Sequence, residues 1–344
     1  MLYNHIGNLM SRKLLSLSLT ATLMGGTAFA EVPRVAVDIT PVHSLVSRVM
    51  DGVGTPDLII QSGASPHEYS LRPSEASALQ EANVFFWIGP DLTPWLTEVI
   101  ETLAPHAAIT TLLETEGTIE LKFREGALFE AHDHDDHAEE EGHDDHDDHA
   151  EEEGHDDHDD HDDHAKEEGH DDHGAHDPHA WLSPQNAANW LIVIAGQLSA
   201  ADPENAGAYF ANAAAGRAEM DALMTQVNAT LDPVRGGRFV VFHDAYQYFE
   251  SDFDFPASGA ISIGDASDPS PARIAEIQKR IADEGISCVL AEPQFNAGLV
   301  TTVLGGSDAN TGVIDPLGSD LEPGATLYPQ LINNMATGLA GCLK

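Results

Sequence analysis

Tyr209-Phe210-Ala211-Asn212-Ala213-Ala214-Ala215-Gly216-Arg217-Ala218-Glu219-Met220 forms the centre of a stretch, 203–231, with no proline after its first position. Apolar side chains recur along it at helical spacing: Tyr209, Phe210, Ala213, Ala214, Met220, Leu223, Met224 and Val227. The pattern is longer than most globular helices. Pro233 and Gly236-Gly237 end it. We read 203–232 as one backbone helix, and what lies on either side of it decides the architecture.

On its N-terminal side, short apolar runs alternate with helical patterns. Arg34–Thr40, Leu58–Ile60, Val84–Ile88 and Ala107–Leu113 read as strands. Helical patterns open at Pro41, Arg72, Thr93 and Pro184. Beyond the long helix the alternation restarts. Strands are predicted at Arg238–Phe242, Ala260–Ile263, Ser287–Ala291 and Gly312–Ile314, with helices through Tyr246 and Phe249, from Ser270 to Ala282, from Phe295 to Leu304 and from Tyr328 to Leu343. Such alternation signals parallel sheets covered by helices. The expected fold is therefore α/β, with two lobes at 31–200 and 236–344. Each lobe is a four-stranded, mainly parallel sheet flanked by helices. In open α/β sheets ligands bind beyond the carboxyl ends of the strands. His67, His243 and Asp315 each follow a predicted strand, and His179 stands just before a helix.

A low-complexity segment, 130–177, interrupts the first lobe. It is built of imidazole and carboxylate, as in His155-Asp156-Asp157-His158, and has almost nothing apolar to bury, so it is expected to be disordered by itself. His-rich composition reads as metal binding, since imidazole suits zinc, copper, nickel and iron. Its histidines are His132, His134, His137, His143, His146, His149, His155, His158, His161, His164, His170, His173 and His176. A segment that must be ordered by its ligand should hold metal weakly. We read it as a collector or sensor, the alternative being a solvated acidic linker.

The chain has 344 residues and a net charge of −43. Residues 130–177 hold 25 acidic residues against one lysine, so the tract carries −24 and the remainder −19. An acidic folded part argues against nucleic acid and anionic membranes as partners and suits cation capture. At the N-terminus, Ser11-Arg12-Lys13, the apolar run Leu14 to Leu23 and Ala28-Phe29-Ala30 fit a cleavable secretory signal at 1–30, with Met1 or Met10 as initiator. An exported, soluble product is expected. The two cysteines, Cys288 and Cys342, suggest a disulfide in an oxidising compartment, the alternative being two buried thiols.

Outside the leader and the tract, the histidines are His43, His67, His106, His179 and His243. None forms the close ligand pair of a structural zinc site, and no His-Glu-x-x-His or G-x-S-x-G motif is present. Ligands this scattered would meet only where two lobes face each other. His43 reads as structural and His106 as surface. Asp244 and Glu292 are candidates to accept the second N–H of a ligating imidazole.

Five blocks, taken together, are specific. They are Ala64-Ser65-Pro66-His67-Glu68-Tyr69-Ser70-Leu71-Arg72-Pro73-Ser74, His179-Ala180-Trp181-Leu182-Ser183-Pro184, Phe242-His243-Asp244-Ala245-Tyr246-Gln247-Tyr248-Phe249, Ala291-Glu292-Pro293-Gln294-Phe295 and Asp315-Pro316-Leu317-Gly318. In order and content they resemble the ZnuA family, the periplasmic zinc-binding proteins of ABC transporters, over essentially the whole mature chain. The resemblance implies metal binding by His67, His179 and His243 in a cleft between lobes with little relative motion, and a Cys288–Cys342 disulfide. It also implies a periplasmic protein that carries Zn²⁺ as cargo to an ABC permease and its ATPase. A monomer and no enzymatic activity are expected. Some zinc members have an acidic residue before the first histidine; here Pro66 holds that place and Glu68 follows instead. The fourth ligand is then water, Asp315 or a tract histidine. Other readings are binding of manganese or another divalent metal, a periplasmic metal buffer or chaperone centred on the tract, and a zinc hydrolase using Glu68 or Asp315 as base.

Overall fold

The apolar runs do become strands, most of them shorter than their sequence patterns, while the strands predicted at Arg238–Phe242 and Gly312–Ile314 shift by one or two residues. In the computed structural model, which describes residues 32–124, 129, 176–262, 269–295 and 297–344, the first sheet contains β1 (Val35–Val37), β2 (Asp57–Leu58), β3 (Val84–Trp87) and β4 (Ala108–Thr111). The second contains β5 (Phe239–His243), β6 (Ala260–Ser262), β7 (Cys288–Ala291) and β8 (Asn310–Val313). Every pairing is parallel, and the two sheets repeat one order, β2-β1-β3-β4 and β6-β5-β7-β8. The central strands β1, β3 and β5 are buried throughout. That is why they read as continuous apolar runs and not as alternation.

The helices are α1 (Thr40–Val49), α2 (Pro73–Glu81), α3 (Leu96–Leu103), α4 (Pro184–Ala201), α5 (Ala206–Leu231), α6 (Gln247–Phe253), α7 (Pro271–Glu284), α8 (Ala297–Val303) and α9 (Leu327–Cys342). Local chemistry sets their starts. Ser183 caps α4, its Oγ accepting from the Asn186 N–H at 3.0 Å, and Pro184 fills the first turn where no N–H is needed. The backbone helix starts three residues later than its sequence pattern. Pro203–Asn205 forms a 3₁₀ turn, and the Asp202 carboxylate accepts from Asn205 Nδ2 at 2.7 Å and from the Tyr209 hydroxyl at 2.8 Å. The 26 residues of α5 then span about 39 Å. Its buried stripe is Tyr209, Ala213, Gly216, Met220, Leu223, Val227 and Leu231. Gly216 lets α4 approach closely: a Cβ would come within 2.9 Å of Leu191 Cδ1, which would have to shift.

Residues Val32–Lys344 make one compact unit. A single apolar cluster runs from Val35 and Phe85 through Leu191 and Tyr209 to Phe239, Leu290 and Leu339, and so reaches both sheets. A smaller cluster, including Val240, Ile261, Ile277 and Val289, covers the other face of the second sheet. Helix α9 returns from the second sheet to pack on α1 and α5. Polar bonds fasten it and its neighbours: Tyr328 N–H donates to Ser44 Oγ (2.9 Å), the Tyr328 hydroxyl to the Trp181 carbonyl (2.8 Å), and Trp181 Nε1 to the Pro316 carbonyl (2.8 Å). The lobes therefore share a core and cannot separate without exposing it.

The Cys288–Cys342 disulfide joins β7 to the last turn of α9. It closes a loop with a sequence separation of 54, worth about 4 kcal/mol in the chain-entropy model. No described helix is long and apolar enough to cross a membrane. The leader at 1–30 and the tract histidines from His132 to His173 lie outside the described residues, as does Ile263 of the predicted Ala260–Ile263 strand.

Candidate metal centre

Sheet register places the first half of the site. Val240 of β5 pairs with Val289 of β7. Three residues on, at the carboxyl ends of both strands, His243 lies beside Glu292. The His243 Nδ1 stands 2.7 Å from Glu292 Oε1, and the His243 N–H donates to the same oxygen at 3.4 Å. Glu292 is 4% exposed. Phe295, past the end of β7, stacks on Phe242 with centroids 4.3 Å apart and presents its face to the His243 ring at 5.4 Å.

The second half comes from the segment that begins at the C-terminal end of the tract. Asp177 is 1% exposed, and its Oδ1 accepts from the His179 N–H (3.0 Å) and stands 2.7 Å from His179 Nδ1. Burial pushes the Asp177 carboxyl up to about 7, against the His179 N–H and the charges of Arg124, His243 and His67 that pull it down. His67 arrives from the loop between β2 and α2. That loop is pinned by Trp95 Nε1 donating to the Pro66 carbonyl at 2.8 Å and by the His67 N–H donating to Ser65 Oγ at 3.3 Å.

The three imidazoles meet. The His179 ring lies 5.6 Å from that of His67 and 5.3 Å from that of His243. Nitrogens bound tetrahedrally to zinc at about 2.1 Å would hold ring centroids roughly 5.2 Å apart. Among the described residues, no group of three or more His, Cys, Asp or Glu side chains stands as an assembled metal site. The ring separations themselves lie close to that value. With Asp177 and Glu292 each at an Nδ1, we assign the proton of His179 and of His243 to that atom, which leaves Nε2 as the donor to a metal. All three rings line one cavity of ≈ 20 Å³ with Trp181, Phe295 and Leu317. That is room for one ion or water molecule.

The remaining candidates fall elsewhere. Asp315 does not line the cavity. Its Oδ1 accepts from the Leu317 N–H (3.0 Å) and Gln294 Nε2 (3.1 Å), and its Oδ2 from the Ser319 N–H (2.5 Å). It thus shapes the turn that carries Pro316 and Leu317 to the site. Glu68 and His106 are exposed. His43 is buried in α1, with Nε2 3.2 Å from the Pro56 carbonyl, and burial lowers its pKa. His176 stands 3.6 Å from Glu120 and 3.9 Å from Asp91, away from the cavity. Asp244 partners Arg124 instead of a histidine, and Glu292 takes the role of imidazole acceptor. Sequence reading passed over Asp177 and Arg124. The signal for Asp177 was present: a carboxylate two residues before a histidine, with Pro178 biasing it to an extended conformation.

The chain is similar to known proteins along nearly its whole length. A family model described as "Zinc-uptake complex component A periplasmic" matches residues 35–342. The high-affinity zinc uptake system protein ZnuA of Brucella suis is 46% identical over 324 residues, covering 94% of this chain and 96% of that protein. The protein of the same description from Paracoccus denitrificans is 44% identical over 333 residues, covering 95% and 98%. Among solved structures, a ZnuA crystal structure superposes with a TM-score of 0.68 at 19% identity, covering 91% of this chain and all of that one. At that identity the likeness speaks for the fold.

Proposed function

The chain belongs to the ZnuA family of periplasmic zinc-uptake components, and from that premise we propose that it captures one Zn²⁺ with His67, His179 and His243 and delivers it to the permease and ATPase of an ABC importer. The observation that carries this reading is the meeting of three imidazoles, from three distant segments, around a cavity the size of one ion. Each part of the site then has a task. The imidazoles supply borderline-soft nitrogen donors, which suit zinc better than the harder ions such as manganese and magnesium. Asp177 and Glu292 fix the tautomers of His179 and His243 and set two buried carboxyl groups against the double charge of the cargo. Trp181, Phe295 and Leu317 screen the ion from bulk water. The fourth position falls to water, or to Asp315 if it gives up its bonds to the turn at Leu317 and Ser319.

A carrier fits the family's role in zinc uptake better than a hydrolase does. We place the leader's product in the periplasm as a monomer, with the tract binding further zinc weakly.

Titration of the full mature chain against a competing chelator tests this. One tight ion followed by weak ones is expected. His243→Ala should abolish the tight step and leave the weak ones; a tight ion that persists in this variant removes His243 from the ligand set.

A further inference from the structure

Arg124 lies in a segment, 119–124, that has no helix or strand to hold it. Its guanidinium is largely buried and reaches two carboxylates that are almost wholly so. Nε donates to both oxygens of Asp244 at 3.0 Å, and Nη2 donates to Asp244 Oδ1. Nη1 donates to Glu250 Oε2 at 2.8 Å and Nη2 to Glu250 Oε1 at 3.1 Å. The Phe129 ring covers the guanidinium at 3.4 Å. Burial works against the guanidinium's charge, but the hydrogen bonds it donates to Glu250 and Asp244, with their negative charges, outweigh it and hold its pKa above the ordinary value.

Asp244 is the residue after His243, and Glu250 lies on α6, the helix that follows. Three residues before Arg124 the same segment touches the support of His179. The Asp177 N–H donates to the Leu121 carbonyl (2.8 Å), the Leu121 N–H donates to the Tyr248 hydroxyl (2.9 Å), and that hydroxyl donates to the Asp177 carbonyl (2.8 Å). Residues 121–124 therefore form a bridge. One end accepts from the N–H of Asp177, which orients His179, and bonds the Tyr248 hydroxyl of α6 that holds the Asp177 carbonyl. The other grips the residue beside His243.

We propose that Arg124 is a positioning residue of the metal centre, clamping the β5–α6 corner to the segment that carries Asp177 and so setting the separation of His179 and His243 at what one zinc ion spans. The proposal rests on the zinc reading above. Planar, two-pronged donation is what the role requires, since a lysine ammonium would reach one carboxylate as a point charge. The clamp acts on the 5.3 Å ring separation, and an error of a few tenths of an ångström there is felt directly in metal–nitrogen distance.

The test is made on the full mature chain with zinc alone. Arg124→Met and Arg124→Lys should each weaken the tightest zinc step by about 10- to 100-fold, the range seen when outer supports of a metal site are removed. Arg124→Met also strands two buried carboxylates, so a general loss of stability must be separated from loss of positioning. Arg124→Met/Asp244→Asn/Glu250→Gln removes those charges together. Its metal-free melting temperature should recover toward that of the unmodified chain, while zinc affinity and the zinc-induced rise in melting temperature stay reduced. If this triple variant, or Arg124→Lys should the triple fail to fold, binds the tight ion within twofold of the unmodified chain with the same zinc-induced rise, the clamp is structural only and the proposal is overturned. His243→Ala is run in parallel. If it too keeps the tight ion, the fault lies in the zinc reading; if it alone loses the ion, the fault lies with Arg124.

Discussion

Glu292 offers the sharpest test of how the metal centre is built, because it lines the cavity and its carboxylate meets the proposed ligand His243. Its Oε1 lies 2.7 Å from His243 Nδ1, a distance typical of a charge-assisted bond, and the group is 4% exposed. Glu292→Ala leaves the imidazole free to turn and to change tautomer. Loss of such a support costs about 10- to 100-fold in metal affinity. That is about 1.4–2.7 kcal/mol at 1.36 kcal/mol per decade. Glu292→Gln keeps an acceptor oxygen and should lie near the lower figure. A thermal assay turns this into a visible shift. Free zinc at a hundred times the original Kd stabilises the unmodified chain by about 2.7 kcal/mol. After a hundredfold loss the same zinc concentration equals the Kd, and the stabilisation shrinks to roughly 0.4 kcal/mol. Chelator competition gives the affinity, and calorimetry with and without zinc gives the shift. The exposed Glu276→Gln serves as control. Zinc affinity within twofold in Glu292→Ala, or a larger loss in Glu292→Gln than in Glu292→Ala, would refute the assignment of Glu292 as the support of His243.

Two further outcomes follow from the fold itself. Asp38 is fully buried, with backbone N–H bonds from Ile39 and Ile88 at 2.7 Å, yet burial outweighs them and pushes its carboxyl up to about 7. Between about 4 and 7 the unfolded chain has lost that proton and the native state keeps it, so Asp38 contributes stability that is full at low pH and lost as pH rises through about 7. Urea melts at pH 5 and pH 8 should show a difference that contracts by up to about 2–3 kcal/mol in Asp38→Asn; an unchanged difference would clear Asp38 of the effect. The second concerns two glycines of α9. A Cβ on Gly338 would lie 2.8 Å from the Val313 carbonyl of β8, whereas Gly341 faces open space. Gly338→Ala should cost about 1–3 kcal/mol from overpacking and Gly341→Ala should be neutral or stabilise by up to about 1 kcal/mol, both measured by urea melts. Equal effects at the two positions would mean that α9 does not approach β8 as described.

Much of this protein is decided locally, and to that extent its sequence alone determined it. Strands such as Phe239–His243 announce themselves because a parallel strand buried on both faces must be apolar throughout. Helix starts at Pro184 and Pro271 are visible because a proline at the first turn lacks only an N–H that no partner needs. The doubled strand–helix alternation on either side of α5 therefore implied two sheets. His67, His179 and His243 were legible as ligand candidates because polar, ring-bearing residues at strand and loop ends have no core to fill. The pairing of Cys288 with Cys342 was likewise the simplest use of two cysteines.

What only the tertiary structure decided depends on distances between segments far apart in the chain. The sequence offers Asp244 and Glu292 alike as imidazole acceptors; parallel pairing of β5 with β7 decides for Glu292 beside His243, at a separation of 49 residues. Nor does it reveal that Asp315 turns its carboxylate into its own loop and away from the cavity, or that Asp244 is taken by Arg124 across 120 residues. The same holds for the shared core, since an apolar face on α5 or α9 says that something must cover it, not which lobe supplies the cover. Spacing along the chain carries short-range conformational preference, while partner choice is settled by which buried polar groups can satisfy one another once the sheets are packed.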